Sequence, residues 1–267
     1  MATRTTARDY RILKYISETG FATIDLIRRE FWQGKNNRHY YRRLQILARS
    51  GLIQPLRGDM GIRLGYRITK KGANLLHARQ CGEPHQTVKA PKYKSTFEHD
   101  LSATRVRDII TKSPIVSDFI GEAEVRSAFA KKYGRQEKRD DRYKVPDALF
   151  KLNTQKGSFI AALEVECAAK SAERYGKIFR QLCISKDFDV IFFIAKDATL
   201  LALLRSHLKK ARDTDKLVML WPRQHGFYFG LLDDVTRLGL DAPFSGEERT
   251  FTLCELAAET SRTSQAN

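Results

Sequence analysis

The hydrophobic period of this chain changes within its first 80 residues, and this change constrains the fold more than any other feature. Three successive segments place apolar residues at the three-to-four-residue spacing of helices, and each of them stops at a glycine. The next segment alternates apolar and polar residues, as a strand does, and a helical segment then begins near Lys70. This order predicts three helices, a hairpin and a fourth helix. The stopping glycines are Gly20, Gly34 and Gly51, and the alternating apolar residues are Leu64, Tyr66 and Ile68.

The third helical segment, residues 36–49, has two different faces. Its apolar face carries Tyr40, Leu44 and Leu47 at the spacing of a buried stripe. A helix that packs through one face and carries an Arg/Gln stripe on another is suited to reading the major groove of DNA. We therefore predict a winged helix-turn-helix domain over residues 7–79. Its expected DNA contacts are Arg38, Arg42, Arg43, Gln45 and Arg49 on the helix and Arg57, Arg63 and Arg67 on the hairpin.

The positive charge is concentrated in the same part of the chain. Residues 1–96 contain 20 Lys and Arg against 6 Asp and Glu, a net charge of +14, whereas residues 97–267 contain 28 against 25, a net charge of +3. Lys and Arg displace the counterions condensed on phosphate, so a concentrated basic region is typical of a polyanion binder. We therefore predict double-stranded DNA as the partner of the first domain.

The rest of the chain predicts a linker, a second domain and a tail. Residues 80–96 lack a hydrophobic period and contain two prolines and three lysines, so we expect a linker. Helical and strand patterns alternate through residues 97–244, which predicts a mixed-sheet α/β domain and makes the whole a two-domain α+β and α/β protein. Residues 245–267 have weak patterns, and we expect a partly disordered tail there. Strands are expected at residues 145–152, 159–166, 190–194, 217–221 and 227–232.

Three carboxylates are expected to converge in the second domain. Asp147 opens one predicted strand, and Glu164 and Glu166 close the next one on a shared face, because side chains alternate along a strand. A hairpin can place Asp147 beside the two glutamates. Carboxylates in such a group repel one another unless a cation lies between them, and oxygen ligands suit Mg²⁺ or Mn²⁺. The pattern therefore predicts a metal site that could polarise a phosphate and activate a water.

This stretch resembles the PD-(D/E)XK nuclease superfamily. The resemblance rests on Pro146-Asp147, on Glu164 at the second acidic position, and on the order helix, hairpin, helix, strand. It implies a nuclease-like fold and catalytic roles for these acids and for Glu166. The lysine position of that superfamily, two residues after the second acid, is Glu166 here, which departs from the pattern. The candidates to supply a lysine from further along the chain are Lys170 and Lys177.

The whole layout is similar to the replication-relaxation family of plasmid and mobile-element proteins. The similarity implies a role in plasmid replication control, relaxation or mobilisation, with DNA and other relaxation or replication proteins as partners. The shared features are the winged helix, the linker, Phe97-Glu98-His99-Asp100-Leu101 at the start of a helix, Pro146-Asp147-Ala148-Leu149-Phe150, Leu163-Glu164-Val165-Glu166 and then Lys177.

The leading hypothesis is a DNA-binding protein whose nuclease-like domain serves assembly or regulation. One alternative is an active Mg²⁺-dependent DNA endonuclease, which the three acids favour and Glu166 in the lysine position opposes. Another is a transcription regulator whose α/β domain dimerises, so a homodimer stays open. The longest apolar run, residues 190–195, is far shorter than the roughly 20 residues that cross a bilayer. We expect a soluble, cytoplasmic protein with no membrane partner.

Overall fold

The computed structural model describes residues 5–32, 38–57, 63–80, 94–133, 144–155, 157–185, 187–220 and 226–264. The chain divides into two compact units, Met1–Thr104 and Arg105–Asn267. The predicted linker, residues 80–96, lies largely outside the described residues.

The first unit contains the predicted three helices, hairpin and fourth helix. Thr6 caps the first helix in a capping box with Asp9, and Thr23 caps the second by accepting from the backbone N–H of Leu26 at 3.2 Å. The elements are α1 (Ala7–Thr19), α2 (Ile24–Phe31), α3 (Arg38–Arg49), β1 (Ile53–Arg57), β2 (Arg63–Ile68), α4 (Lys70–Gln80) and the start of α5 (Lys94–Ile110).

One apolar core holds the first unit together. Ile12 and Ile16 from α1 meet Leu44 and Leu47 from α3, and all four side chains are fully buried. β1 and β2 pair antiparallel, and Tyr66 of β2 exchanges two 2.9 Å backbone hydrogen bonds with Ala22. The Ala22–Tyr66 bridge ties the hairpin to the segment between the first two helices.

A close backbone approach accompanies this bridge. A Cβ added at Gly65 would lie 2.4 Å from the carbonyl oxygen of Ala22, so only glycine fits there.

The second unit is a seven-stranded mixed sheet with helices, which confirms the predicted mixed α/β class. The strand order is β3-β4-β5-β6-β7-β8-β9, and the pairs β5–β6 and β6–β7 are parallel while the others are antiparallel. The elements are β3 (Val116–Gly121), α6 (Glu122–Tyr133), β4 (Ala148–Thr154), β5 (Gly157–Glu166), α7 (Ala172–Ile184), β6 (Val190–Ala195), α8 (Ala198–Thr214), α9 (Lys216–Leu220), β7 (Phe227–Leu231), α10 (Leu232–Leu238), β8 (Phe244–Ser245), β9 (Thr250–Phe251) and α11 (Leu253–Ser264).

The strand predicted at residues 217–221 is wrong, because Lys216–Leu220 is the short helix α9. The Asp215 side chain accepts from the backbone N–H of Leu217 at 2.9 Å and so starts a helical turn. Val218 is fully buried in this turn, whereas Leu217 and Met219 are exposed. A run of apolar residues this short does not distinguish a strand from a helical turn.

The predicted partly disordered tail, residues 245–267, contains β9 and α11 in the structure. Thr252 and Glu255 form a reciprocal capping box at the start of α11, with hydrogen bonds of 2.8 and 3.1 Å. Phe251 and Leu256 are buried in the unit. Across the described part of the chain, every helix is too short or too polar to cross a membrane.

Candidate nucleic-acid interface and carboxylate cluster

The outward face of α3 carries the predicted arginine stripe. Tyr40, Leu44 and Leu47 are buried, while Arg42, Gln45 and Arg49 are exposed on the opposite side of the helix. The two faces follow from the 3.6-residue period, since positions 42, 45 and 49 recur at i, i+3 and i+7. Two predicted contacts, Arg38 and Arg63, belong to α3 and β2, but their side chains lie outside the described residues.

Arg43, another predicted DNA contact, binds Asp9 of α1. Its Nε donates to Asp9 Oδ1 at 2.7 Å, and its terminal nitrogen donates to the other carboxylate oxygen. Asp9 is completely buried and also accepts from the backbone N–H and the hydroxyl of Thr6, at 2.6 and 2.8 Å. Burial by itself would raise the pKa of Asp9, but the bonds from Arg43 and Thr6 outweigh burial and lower it. The ion pair of Arg43 with the buried Asp9 therefore links α3 to the start of α1.

The hairpin presents two arginines. Arg57 is exposed at the end of β1, and Arg67 of β2 donates to the side-chain oxygen of Gln54 at 2.8 and 3.1 Å. Gln54 and Arg67 lie opposite each other in the antiparallel register. The hairpin thus holds the Arg67 guanidinium in place through Gln54, whereas Arg57 is exposed to solvent.

Two further arginines of the first unit, Arg8 and Arg11, were not among the predicted DNA contacts. The Arg8 guanidinium lies 5.2 Å from the centre of the Trp32 ring, and Arg11 lies 5.6 Å from that of Phe31. Both arginines are exposed on α1. A guanidinium is attracted to the face of an aromatic ring, and this contact restricts its motion. The spacing Arg8-x-x-Arg11 together with Phe31-Trp32 was the available signal.

In the second unit, the end of β5 brings the three predicted acids together. Glu164 and Glu166 lie on one face of β5, and both are 2% exposed. The register pairs Ala148 with Leu163, which places Asp147 opposite Glu164. The Asp147 N–H donates to the Leu163 carbonyl at 3.0 Å, and Asp147 Oδ2 accepts from the Val165 N–H at 2.8 Å.

Two lysines pair with the buried glutamates. Lys144 Nζ lies 2.5 and 2.7 Å from the two oxygens of Glu164, and Lys170 Nζ donates to both oxygens of Glu166. We call these four residues, together with Asp147, the carboxylate cluster. Lys170 was a predicted site residue, whereas Lys177, also predicted, lies on an exposed position of α7. The sequence prediction does not include Lys144, because the superfamily pattern places its lysine after the second acid. A lysine three residues before Asp147 was the signal.

The environment shifts the proton affinity of this cluster. Burial raises the pKa of Glu164 to about 8, and the Lys144 ammonium opposes that rise. Burial disfavours the charged form of Lys144, but the Glu164 and Asp147 carboxylates outweigh it and raise the pKa of Lys144. Burial and the nearby Glu166 raise the pKa of Tyr175 to about 12, and the Lys170 ammonium lies 5.6 Å from the centre of its ring. Lys144 therefore stays charged beside Glu164, whose carboxyl group is costly to ionise because it is buried.

Within the described residues, no group of three or more His, Cys, Asp and Glu side chains is arranged to hold a metal ion. The acids gather as the sequence predicted, yet lysine ammonium groups lie against two of them. Such an arrangement can neutralise charge, hold the strand ends together and present cations to a phosphate.

Comparison with known proteins gives one match. The family model described as replication-relaxation matches residues 13–181, more than half of the chain. No curated protein and no solved structure matches the chain.

Proposed function

Because the chain belongs to the replication-relaxation family, we propose that it binds duplex DNA through its first unit in replication or relaxation of a plasmid or mobile element. The first unit then acts as a winged helix-turn-helix, with α3 as the recognition helix and the β1–β2 hairpin as the wing. The second unit, a nuclease-like α/β domain of the PD-(D/E)XK type, serves assembly or regulation.

The two-faced helix α3 is the observation that carries this proposal. Its apolar residues are fixed in the core, so its exposed residues are held in place by a packed helix rather than by a loop. Arg42 and Arg49 can each form paired hydrogen bonds with the guanine edge, and Gln45 with adenine. The same part of the sequence carries the net charge of +14.

The test measures binding of the full-length protein to duplex DNA by fluorescence anisotropy at several salt concentrations. We expect affinity to fall steeply with salt, because phosphate contacts release counterions. Arg42→Gln should weaken binding to the preferred sequence by about 5- to 150-fold, the equivalent of about 1–3 kcal/mol. The matched control is Arg237→Gln, which replaces an arginine of α10 in the second unit that is also exposed. Salt-independent binding, or equal losses in both variants, would contradict the proposal.

A metal-dependent endonuclease is the second candidate function, and the convergence of Asp147, Glu164 and Glu166 at the end of β5 favours it. In this case Mg²⁺ or Mn²⁺ would be the cofactor. Incubation with supercoiled DNA and either ion should then produce nicks that Asp147→Asn and Lys170→Ala abolish while DNA affinity is retained. Lys177→Ala tests the second predicted lysine in the same assay. Nicking that survives all three substitutions would exclude this cluster as its source.

A further inference from the structure

The oxygens that a divalent ion would need in the carboxylate cluster already have protein donors. Both carboxylate oxygens of Glu164, both of Glu166 and Oδ2 of Asp147 accept hydrogen bonds. Mg²⁺ and Mn²⁺ bind through carboxylate oxygens that face the ion. The donor types are right for such an ion, but their present partners leave it no place, so a resident metal does not fit the cluster.

Lys144 is also the more exposed member of its ion pair with Glu164. The Glu164 side chain is 3% exposed, whereas the Lys144 side chain that binds it is 25% exposed. A second cation brought to Glu164 would therefore be repelled by an ammonium group that already contacts both carboxylate oxygens. Lys144 interacts electrostatically with Asp147 and Glu166 as well as with Glu164, so one cation serves three acids.

We infer that Lys144 takes the place of a metal ion in this protein, balancing Glu164 and Asp147 with its own ammonium group and keeping divalent ions out of the cluster. Because the Lys144 ammonium group is part of the chain, it stays beside these acids at any concentration of metal ions. The acids that the sequence presents as a metal site then form an ion-pair network that closes the end of β5. This inference is independent of DNA binding by the first unit.

The test follows thermal unfolding of the full-length protein with EDTA and with millimolar Mn²⁺, and counts bound Mn²⁺ by electron paramagnetic resonance. The variants are Lys144→Met, Lys144→Arg and the matched control Lys151→Met, whose lysine pairs with the exposed Asp118 in the same unit. We expect the wild type, Lys144→Arg and Lys151→Met to bind no Mn²⁺ in the second unit and to keep the same Tm with and without it.

Lys144→Met should melt at a lower temperature in EDTA, because Glu164 loses its cation. It should bind one Mn²⁺, and Tm should rise by roughly 5–10 °C at a 100-fold excess of the ion over its Kd. A wild type that binds Mn²⁺ as tightly as Lys144→Met would overturn the inference. That result would favour the endonuclease candidate and leave the DNA-binding proposal unaffected.

A double variant decides the matter if Lys144→Met does not fold or takes up no Mn²⁺. Lys144→Met with Glu164→Gln removes both charges together, so we expect it to fold, to melt near the wild type and to ignore Mn²⁺. A double variant as unstable as Lys144→Met alone would overturn the inference, because the instability would then not come from an unbalanced Glu164.

Discussion

Replacing Arg43 and replacing Arg42 should have opposite consequences, although the two arginines are neighbours on α3. Arg43 binds the fully buried Asp9, and Arg42 is exposed. We expect Arg43→Met to destabilise the first unit and Arg42→Met to leave its stability unchanged. DNA affinity, measured where both variants are folded, should fall for Arg42→Met.

The expected cost follows from the partners of Asp9. Removing one member of a buried ion pair costs about 3–5 kcal/mol, because the remaining charge is buried without compensation. Thr6 still donates two hydrogen bonds to Asp9 in the variant, and Arg43 is 23% exposed in the wild type. The lower end, about 3 kcal/mol, is therefore expected. Arg42→Met should stay within about 0.5 kcal/mol, as exposed substitutions do.

The stability of this pair should also depend on pH. Since the pKa of Asp9 is lowered below its usual value of 3.8, its contribution is complete above about pH 4 and is lost as pH falls through the folded-state pKa. In Arg43→Met the burial of Asp9 no longer has this compensation, so the loss of stability on acidification should shrink.

Urea unfolding monitored by tryptophan fluorescence measures these differences. The chain has two tryptophans, so a Trp221→Phe background leaves Trp32, buried in the first unit, as the reporter. Adding Asp9→Asn to Arg43→Met should recover part of the lost free energy of unfolding. The reasoning is refuted if Arg43→Met is as stable as Arg42→Met while its DNA binding is lost, since Arg43 would then contact DNA.

Two further predictions concern the first unit. Gly65→Ala should lower the free energy of unfolding by about 1–3 kcal/mol, because the new Cβ would lie 2.4 Å from the Ala22 carbonyl oxygen. The control, Gly176→Ala, replaces a helical glycine with open space around it and should be neutral or stabilising. Equal effects of the two substitutions on stability would disprove the steric argument. Arg8→Gln should weaken DNA binding and reduce its salt slope by about 1, whereas Lys14→Gln, which breaks only an exposed pair on α1, should not. Equal salt slopes for the wild type, Arg8→Gln and Lys14→Gln would show that Arg8 does not contact DNA.

Local patterns were enough to predict most of the first unit. The stops at Gly20 and Gly51 and the alternation through Leu64, Tyr66 and Ile68 correspond to observed elements, because each pattern is fixed by neighbours within one turn or strand. The third predicted stop, Gly34, lies outside the described residues. β3 was not predicted, since its six residues show no buried face in the sheet. α11 was missed although Thr252 and Glu255 have capping-box spacing.

The carboxylate cluster was predictable only in part. Strand alternation placed Glu164 and Glu166 on one face, and the hairpin register brought Asp147 to them. The local pattern could not predict that Lys144 contacts the cluster. Lys144 lies outside any helix or strand, so no hydrophobic period indicates the direction of its side chain. The sequence also could not show that Arg43 points to Asp9, 34 residues earlier, as that choice depends on how α1 packs on α3.

The two outer strands of the seven-stranded sheet determine how prone it is to join a neighbouring molecule. β9 has two residues, and β3 is interrupted by a register shift between Ser117 and Ile120, with Asp118 in the left-handed region at φ 51°. Asp118 is also exposed and paired with Lys151. A short strand and a bent, charged one offer no long row of free backbone donors and acceptors to another sheet. Aggregation or dimer formation by strand addition is therefore disfavoured at both sides.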